Sequence, residues 1–257
     1  VLYGLQTSFG NLIGAETYQQ LAAFGYQMAR IDAQGCTADD AALLAMEAVD
    51  AGLTPLIILK HPDQMALLPD GAEVEVLNEP DLNGPDPAAY ILLARAFDAA
   101  ANGRPLWGPC ASNLSKRGFD YLDATVSALP PSFRISLHRY SYGAFPSDAH
   151  PPAASREAEV DRLKRIIGDR PFGLSESGFH QARQPQYGGW RKNFRYWDIT
   201  LSDQQQAENL IVDGQFWERH GAAFWVIFQI DDGPTGIPEH QFGIRTFHGI
   251  WKPSAPR

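Results

Sequence analysis

The sequence predicts an α/β chain closed as a (β/α)8 barrel, the TIM-barrel fold, in one compact domain over residues 1–257. Two observations predict it. Short β-like runs alternate with helical stretches along the chain, and such alternation builds parallel strands joined by right-handed crossovers. Eight such units within 257 residues match the size of one closed barrel. A doubly wound open sheet is the alternative. It usually has fewer strands and a Gly-rich loop after its first strand, and TSFGNLIG (7–14) is not that fingerprint.

The elements follow in order. The first run is Tyr3–Thr7 and the second Gln27–Ile31. A helical stretch, Asp39–Ala51, then has an acid at its start and Gly52 at its stop, and it leads to the third run, Pro55–Leu59. The fourth run is Val74–Leu77, and Pro80 lacks the N–H needed to extend its ladder. Beyond the helical stretch Pro87–Ala101 come Leu106–Gly108 and Arg134–Leu137. HPPAASREAE (150–159) reads as a loop running into a helix ahead of Phe172–Ser175. The helix Asp203–His220 stops at Gly221, before the eighth run, Ala223–Phe228. No internal repeat recurs at a fixed period, and no Pro- or Gly-rich linker divides the chain.

Composition narrows the partners. Hydrophobic residues at 44% and charged residues at 20% are those of an ordinary globular protein. A net charge of −9 lacks the basic footprint of a nucleic-acid binder. No apolar run approaches the ~20 residues that span a bilayer. Neither nucleic acid nor membrane is an expected partner, and a monomer is expected. The chain begins at Val1 and carries no signal peptide, so the expectation is a secreted or periplasmic protein with its leader removed, the cytoplasm being the alternative. Cys36 and Cys110 are expected to be free thiols. Neither has a base partner legible in the sequence, so a thiol nucleophile is not expected.

Chemistry in such a barrel gathers at the carboxyl ends of the strands. Those positions carry Arg30 in MARID, His61 in ILKHP, Asn78 and Glu79 in VEVLNEP, His138 and Tyr140 in SLHRYS, and Glu176 in GLSESGF. The eighth strand contributes Trp225 and Gln229. Carboxylates on strands four and seven face each other across a barrel mouth, which is what glycoside hydrolysis requires: one protonated for the leaving oxygen, one ionised for the anomeric carbon. Arg30 and Tyr140 are placed to hold the ionised one, and its negative charge is expected to raise the pKa of the acid. Asn78 is placed to meet a sugar hydroxyl. No ligand spacing calls for a metal or other cofactor, and Asp231-Asp232-Gly233 reads as a turn.

LNEP after one strand, HRY after a later one and SESG after the next resemble the glycoside hydrolase clan A pattern. The resemblance runs from Tyr3 to Lys252-Pro253, where FGIRTFHGIWKP is similar to the clan's ending. It implies that Glu79 is the general acid/base, Glu176 the nucleophile and the hydrolysis retaining. By the same likeness Arg30 matches the clan arginine, and His138 and Tyr140 its His-x-Tyr. NEPD and the compact barrel resemble families 39 and 128, the latter small endo-acting β-1,3-glucanases. Ser175 departs from the usual Thr before the nucleophile, and Trp225 lies early in its strand for the clan tryptophan.

The implied function is a retaining, endo-acting glycosidase on a β-linked polysaccharide or oligosaccharide. A non-catalytic carbohydrate-binding barrel would not need both carboxylates. A lyase or aldolase would need a buried Lys, and the Lys at a strand end is Lys60. The stretch 178–202 holds Tyr187, Trp190, Phe194, Tyr196 and Trp197 among Arg183, Arg191, Lys192 and Arg195. Packing onto the barrel is one reading; stacking of Trp190 on a sugar ring is the other.

Overall fold

The computed structural model describes residues 1–7, 14–140, 153–179, 202–229 and 244. Eight parallel strands close a barrel in chain order: β1 (Leu2–Gln6), β2 (Met28–Asp32), β3 (Thr54–Leu59), β4 (Glu73–Val76), β5 (Leu106–Trp107), β6 (Phe133–Tyr140), β7 (Phe172–Gly178) and β8 (Phe224–Ile227), with β8 paired back onto β1. Around them lie α1 (Ala15–Ala23), α2 (Ala38–Asp50), α3 (Pro80–Asn83), α4 (Pro87–Ala100), α5 (Lys116–Thr125), α6 (Ala153–Ile167) and α7 (Asp203–Arg219).

Helix ends follow local chemistry. The cap of α2 is Thr37, whose hydroxyl accepts from the Asp40 N–H at 3.2 Å, while Asp39 lies in the first turn. Ser202 caps α7 reciprocally with Gln205, so Asp203 is again a first-turn acid. Gly52 and Gly221 follow these two helices at φ 83° and 85°, a left-handed turn that a Cβ would strain.

Alternation along the strands makes two apolar layers. Ala29, Ile31, Ile57, Val74, Val76, Trp225 and Ile227 face outward, into the core between barrel and helices. Met28, Leu56, Trp107, Phe224 and Val226 face inward and plug the amino-terminal half of the barrel. Trp107 meets Phe224 edge-on at 4.6 Å. Gly173 is needed opposite this plug: a Cβ there would lie 2.6 Å from Cζ of Phe224. Polar groups stand above the plug, and the sheet hands them to one end of the barrel.

Candidate active site

Arg30 organises that end. It lies in the middle of β2, in register with Gln6 of β1 and Leu56 of β3, and is fully buried. Its position is inside the strand and not after it, and its partner is not the neighbouring Asp32. Nη1 donates to Glu176 Oε1 at 2.5 Å and also to Gln6. Nε donates to Glu75 Oε1 at 3.0 Å, with Nη2 on the same oxygen. Nη2 also reaches Asn78 Oδ1 at 2.8 Å. Burial disfavours the guanidinium charge, but Glu75, Glu176 and Cys110 outweigh it and hold the pKa of Arg30 well above its ordinary value.

Glu176 sits on β7 opposite His138 of β6, after a shift in register between Leu137 and His138. Tyr140 donates its phenol proton to Glu176 Oε2. Burial first, and then Glu176, push the Tyr140 pKa well up, so the phenol stays a donor. Both Glu176 oxygens thus face permanent donors, an arrangement suited to an ionised carboxylate, which can only accept.

Glu79 comes from the end of β4, whose ladder stops at Val76 and not at Leu77. Leu77 and Glu79 both take left-handed backbone conformations, at φ 63° and 48°. Such φ values are uncommon for residues with a Cβ and cluster at functional sites. Pro80 then starts α3. The turn is pinned from behind: Tyr90 donates to the Val76 carbonyl at 3.1 Å, and Asp81 accepts from the N–H and hydroxyl of Ser112 at 2.8 and 2.7 Å.

His138 joins the two carboxylates. Nδ1 lies 3.0 Å from Glu79 Oε1 and 3.3 Å from Glu176 Oε2. One carboxylate oxygen of Glu79 and one of Glu176 lie within 4.8 Å of each other. Burial disfavours the imidazolium of His138, yet the Cys110 sulfur, Glu176 and Glu79 outweigh it and hold its pKa well above the ordinary value. This corrects the expectation for Glu79. Burial alone would push that carboxyl up, but the hydrogen bond from His138 and the charges of His138 and Arg30 prevail and hold its pKa below the ordinary range. The two shifts run in opposite directions, and both favour a proton on His138 over one on Glu79. The Glu79 side chain is 26% exposed against 5% for Glu176, so it is Glu79 that can exchange protons with the cleft.

Two expected residues, His61 and Trp225, lie elsewhere. His61 is exposed at the end of β3, where its N–H donates to Gln64 Oε1 at 2.8 Å; among the described residues it makes no bond to either carboxylate. Trp225 faces outward, against the expectation of a cleft platform. It is 3% exposed and donates through Nε1 to Asp213 Oδ2 of α7 at 3.0 Å, beside the Arg156–Asp213 pair at 2.5 Å. Strand parity explains this: Phe224 and Val226 point inward, so Trp225 cannot. Gln229 is buried after β8 and accepts from the Ile244 N–H at 3.2 Å through its backbone. Trp190, with 180–201, Asp231-Asp232-Gly233 and Lys252-Pro253, lies outside the described residues.

Other residues were missed. Phe228 has the inward parity that Trp225 lacks, and its ring meets Tyr140 edge-on at 5.9 Å; counting alternation from Phe224 would have found it. Glu75 read as an alternating strand acid but is fully buried against Arg30. Its parity, opposite to that of the outward-facing Val74 and Val76, offered a weak signal. Cys36 and Cys110 are free, as expected. Cys110, however, does have a base beside it, with its sulfur 2.9 Å from His138 Nε2. β5 and β6 are neighbours in the barrel, although 28 positions separate the two residues.

The ligand atoms of Glu79, His138 and Glu176 lie within 4.8 Å of one another, as do those of Glu75, Cys110 and His138. Arg30 occupies both groups, bonding Glu75 and Glu176 and lying 3.3 Å from His138 Nε2 through Nη2. A fixed guanidinium there neutralises the carboxylates and repels a second cation. These donors fit a proton network and not a metal ion.

No family model matches the chain, and no curated protein does. Solved structures are similar to it in fold. A glycoside hydrolase family 17 β-1,3-glucanosyltransferase from Rhizomucor miehei superposes with a TM-score of 0.71 at 16% identity, over 98% of this chain and 96% of that one. An exo-β-1,4-mannosidase from Opitutaceae bacterium strain TAV5 gives 0.65 at 12% identity, over 99% of this chain and 58% of that one. A β-glucuronidase from Ruminococcus gnavus gives 0.68 at 13% identity, over 99% and 50%, so this chain spans half of that enzyme.

Proposed function

We propose that the protein is a retaining glycoside hydrolase of the clan A type, with Glu176 as nucleophile and Glu79 as acid/base, acting within β-linked polysaccharide chains. One observation carries this reading. Two carboxylates from different strands approach within 4.8 Å, one bound by Arg30 and Tyr140 and the other by His138. Retaining enzymes hold their carboxyl groups ~5–5.5 Å apart, whereas inverting ones leave ~6.5–9.5 Å for a water.

In the first step Glu176 attacks the anomeric carbon, the glycosidic C–O bond breaks, and Glu79 passes its proton to the leaving oxygen. That proton reaches Glu79 from His138 across their 3.0 Å hydrogen bond. In the second step Glu79 takes a proton from water, the water oxygen attacks the anomeric carbon, and Glu176 leaves. Asn78, held by Arg30, faces the hydroxyl beside the reacting carbon. NEPD resembles families 39 and 128, while the neighbour of matching length belongs to family 17 and its active-site mutant has been seen with laminaritriose. A β-1,3-glucan is therefore the first substrate to test.

Proton NMR of fresh digestion product checks retention. The β-anomer should appear first from a β-linked substrate, with α following only by mutarotation; α first would contradict the reading. Tyr140→Phe should lower kcat by about 10–100-fold with little change in KM, as expected for losing a ~1.5–3 kcal/mol hydrogen bond to a charged group. Wild-type kinetics in that variant would make Tyr140 a packing residue. Binding of laminari-oligosaccharides without hydrolysis of any β-glucan, mannan or xylan would favour the carbohydrate-binding alternative.

A further inference from the structure

Among the described residues, Cys110 is a buried nucleophilic group that the proposed reaction does not use. It follows β5, is fully buried, and forms no disulfide. Its sulfur lies 2.9 Å from His138 Nε2, 3.3 Å from Ser175 Oγ and 3.8 Å from Arg30 Nη2.

The two nitrogens of His138 meet opposite chemistry. Nδ1 faces Glu79 and Glu176, which accept when ionised. Nε2 faces Arg30 Nη2 at 3.3 Å and the Cys110 sulfur. A guanidinium can only donate, whereas a thiol can donate or accept. A ring with a bare Nε2 can accept from the thiol or share the Nη2 N–H that also reaches Asn78, so it does not depend on the sulfur alone. A ring carrying a proton at Nε2 needs an acceptor, and of these two neighbours only the sulfur can be one.

Two states carry that proton. One is the imidazolium paired with ionised Glu79. The other is the neutral ring that has handed its Nδ1 proton to Glu79. Both hold the proton that acid catalysis consumes, and both depend on the sulfur. We propose that Cys110 is a positioning residue for the acid/base: its sulfur holds Nε2 of His138, and so keeps available the proton that His138 and Glu79 share. This rests on the assignment of Glu79 as acid/base.

The groups facing His138 are Arg30 from β2, Glu75 and Glu79 from β4 and its end, Cys110 from after β5, Tyr140 on β6 and Glu176 on β7. Arg30 keeps its charge and Tyr140 its proton through the neutral range. Burial and Glu75 push the Cys110 thiol up, against the pull of His138 and Arg30, so the sulfur enters as a thiol.

The test follows His138 directly, by 15N NMR of the histidine-labelled full chain across pH. The His138 signals are identified by their loss in His138→Gln. Cys110→Ala should lower the His138–Glu79 titration midpoint by about one pH unit, because both proton-holding states lose an acceptor. Cys110→Ser should restore most of it, since a hydroxyl both donates and accepts. The alkaline limb of kcat/KM should move down with the midpoint in Cys110→Ala and return in Cys110→Ser. Should Cys110→Ala fail to fold, Cys110→Val, with an apolar group in place of the sulfur, carries the same expectation. An unchanged midpoint, or a uniform loss of rate with an unmoved alkaline limb, would overturn the proposal. A shifted midpoint in a protein whose wild type hydrolyses no glycan would overturn the hydrolase reading and leave the Cys110–His138 link supported.

Discussion

Glu176→Ala should abolish turnover on every glycoside, by more than about 10⁴-fold, because in the proposed reaction Glu176 forms the bond to the anomeric carbon. Glu79→Ala should behave differently. On a polysaccharide the leaving alkoxide needs its proton, and the loss should be about 10²–10⁴-fold. On an activated aryl glycoside the leaving group needs little help, so the first step should proceed and the glycosyl-enzyme should accumulate. Azide should then restore turnover by attacking without base assistance, and release a β-glycosyl azide. Steady-state rates with and without azide, with product analysis, check this. Equal and unrescued losses in both variants would reverse or remove the assignments. The alkaline limb of the wild-type pH profile should belong to the coupled His138–Glu79 pair and not to either residue alone, since the two share one proton.

Arg30→Ala should show the second large effect, and in two measurements at once. Arg30 is fully buried and bonds Gln6, Glu75, Glu176 and Asn78. Removing it strands two buried carboxylates, and breaking such a pair from one side costs about 3–5 kcal/mol. At about 2–4 °C per kcal/mol for a chain of this size, Tm should fall by roughly 6–20 °C. The second measurement is kcat, which should drop further than KM rises, because Glu176 loses its orientation. The double variant Arg30→Met with Glu75→Leu removes both ends of one buried pair. It should recover part of Tm without recovering kcat, and the cycle of the two variants separates the roles. Wild-type Tm and kcat in Arg30→Ala would show that the cluster neither supports the barrel nor serves the site.

The pattern of short runs and helical stretches was enough to predict the closed eight-stranded barrel, because the period and the stop signals are local. Local order also placed Arg30, Asn78, Glu79, His138, Tyr140 and Glu176 at one end of it, since strand ends in this fold share a face. Trp225 shows where strand ends alone mislead: it lies on the eighth run, but its parity turns it to Asp213. What only the tertiary structure decided is the proton economy. Glu75, Cys110 and Gln6 carry no motif, and their effect arises from sitting around Arg30 and His138 at distances that sequence separation does not encode. A charge near a carboxylate was legible in the sequence, and it predicted a raised pKa for Glu79. The sign depends on which neighbour is nearest, and His138 at 3.0 Å turns it the other way. Hydrogen bonds and charges act over a few ångströms of folded space, so the amino-acid order determined which groups would meet, and the packing of the barrel decided which of them holds the proton.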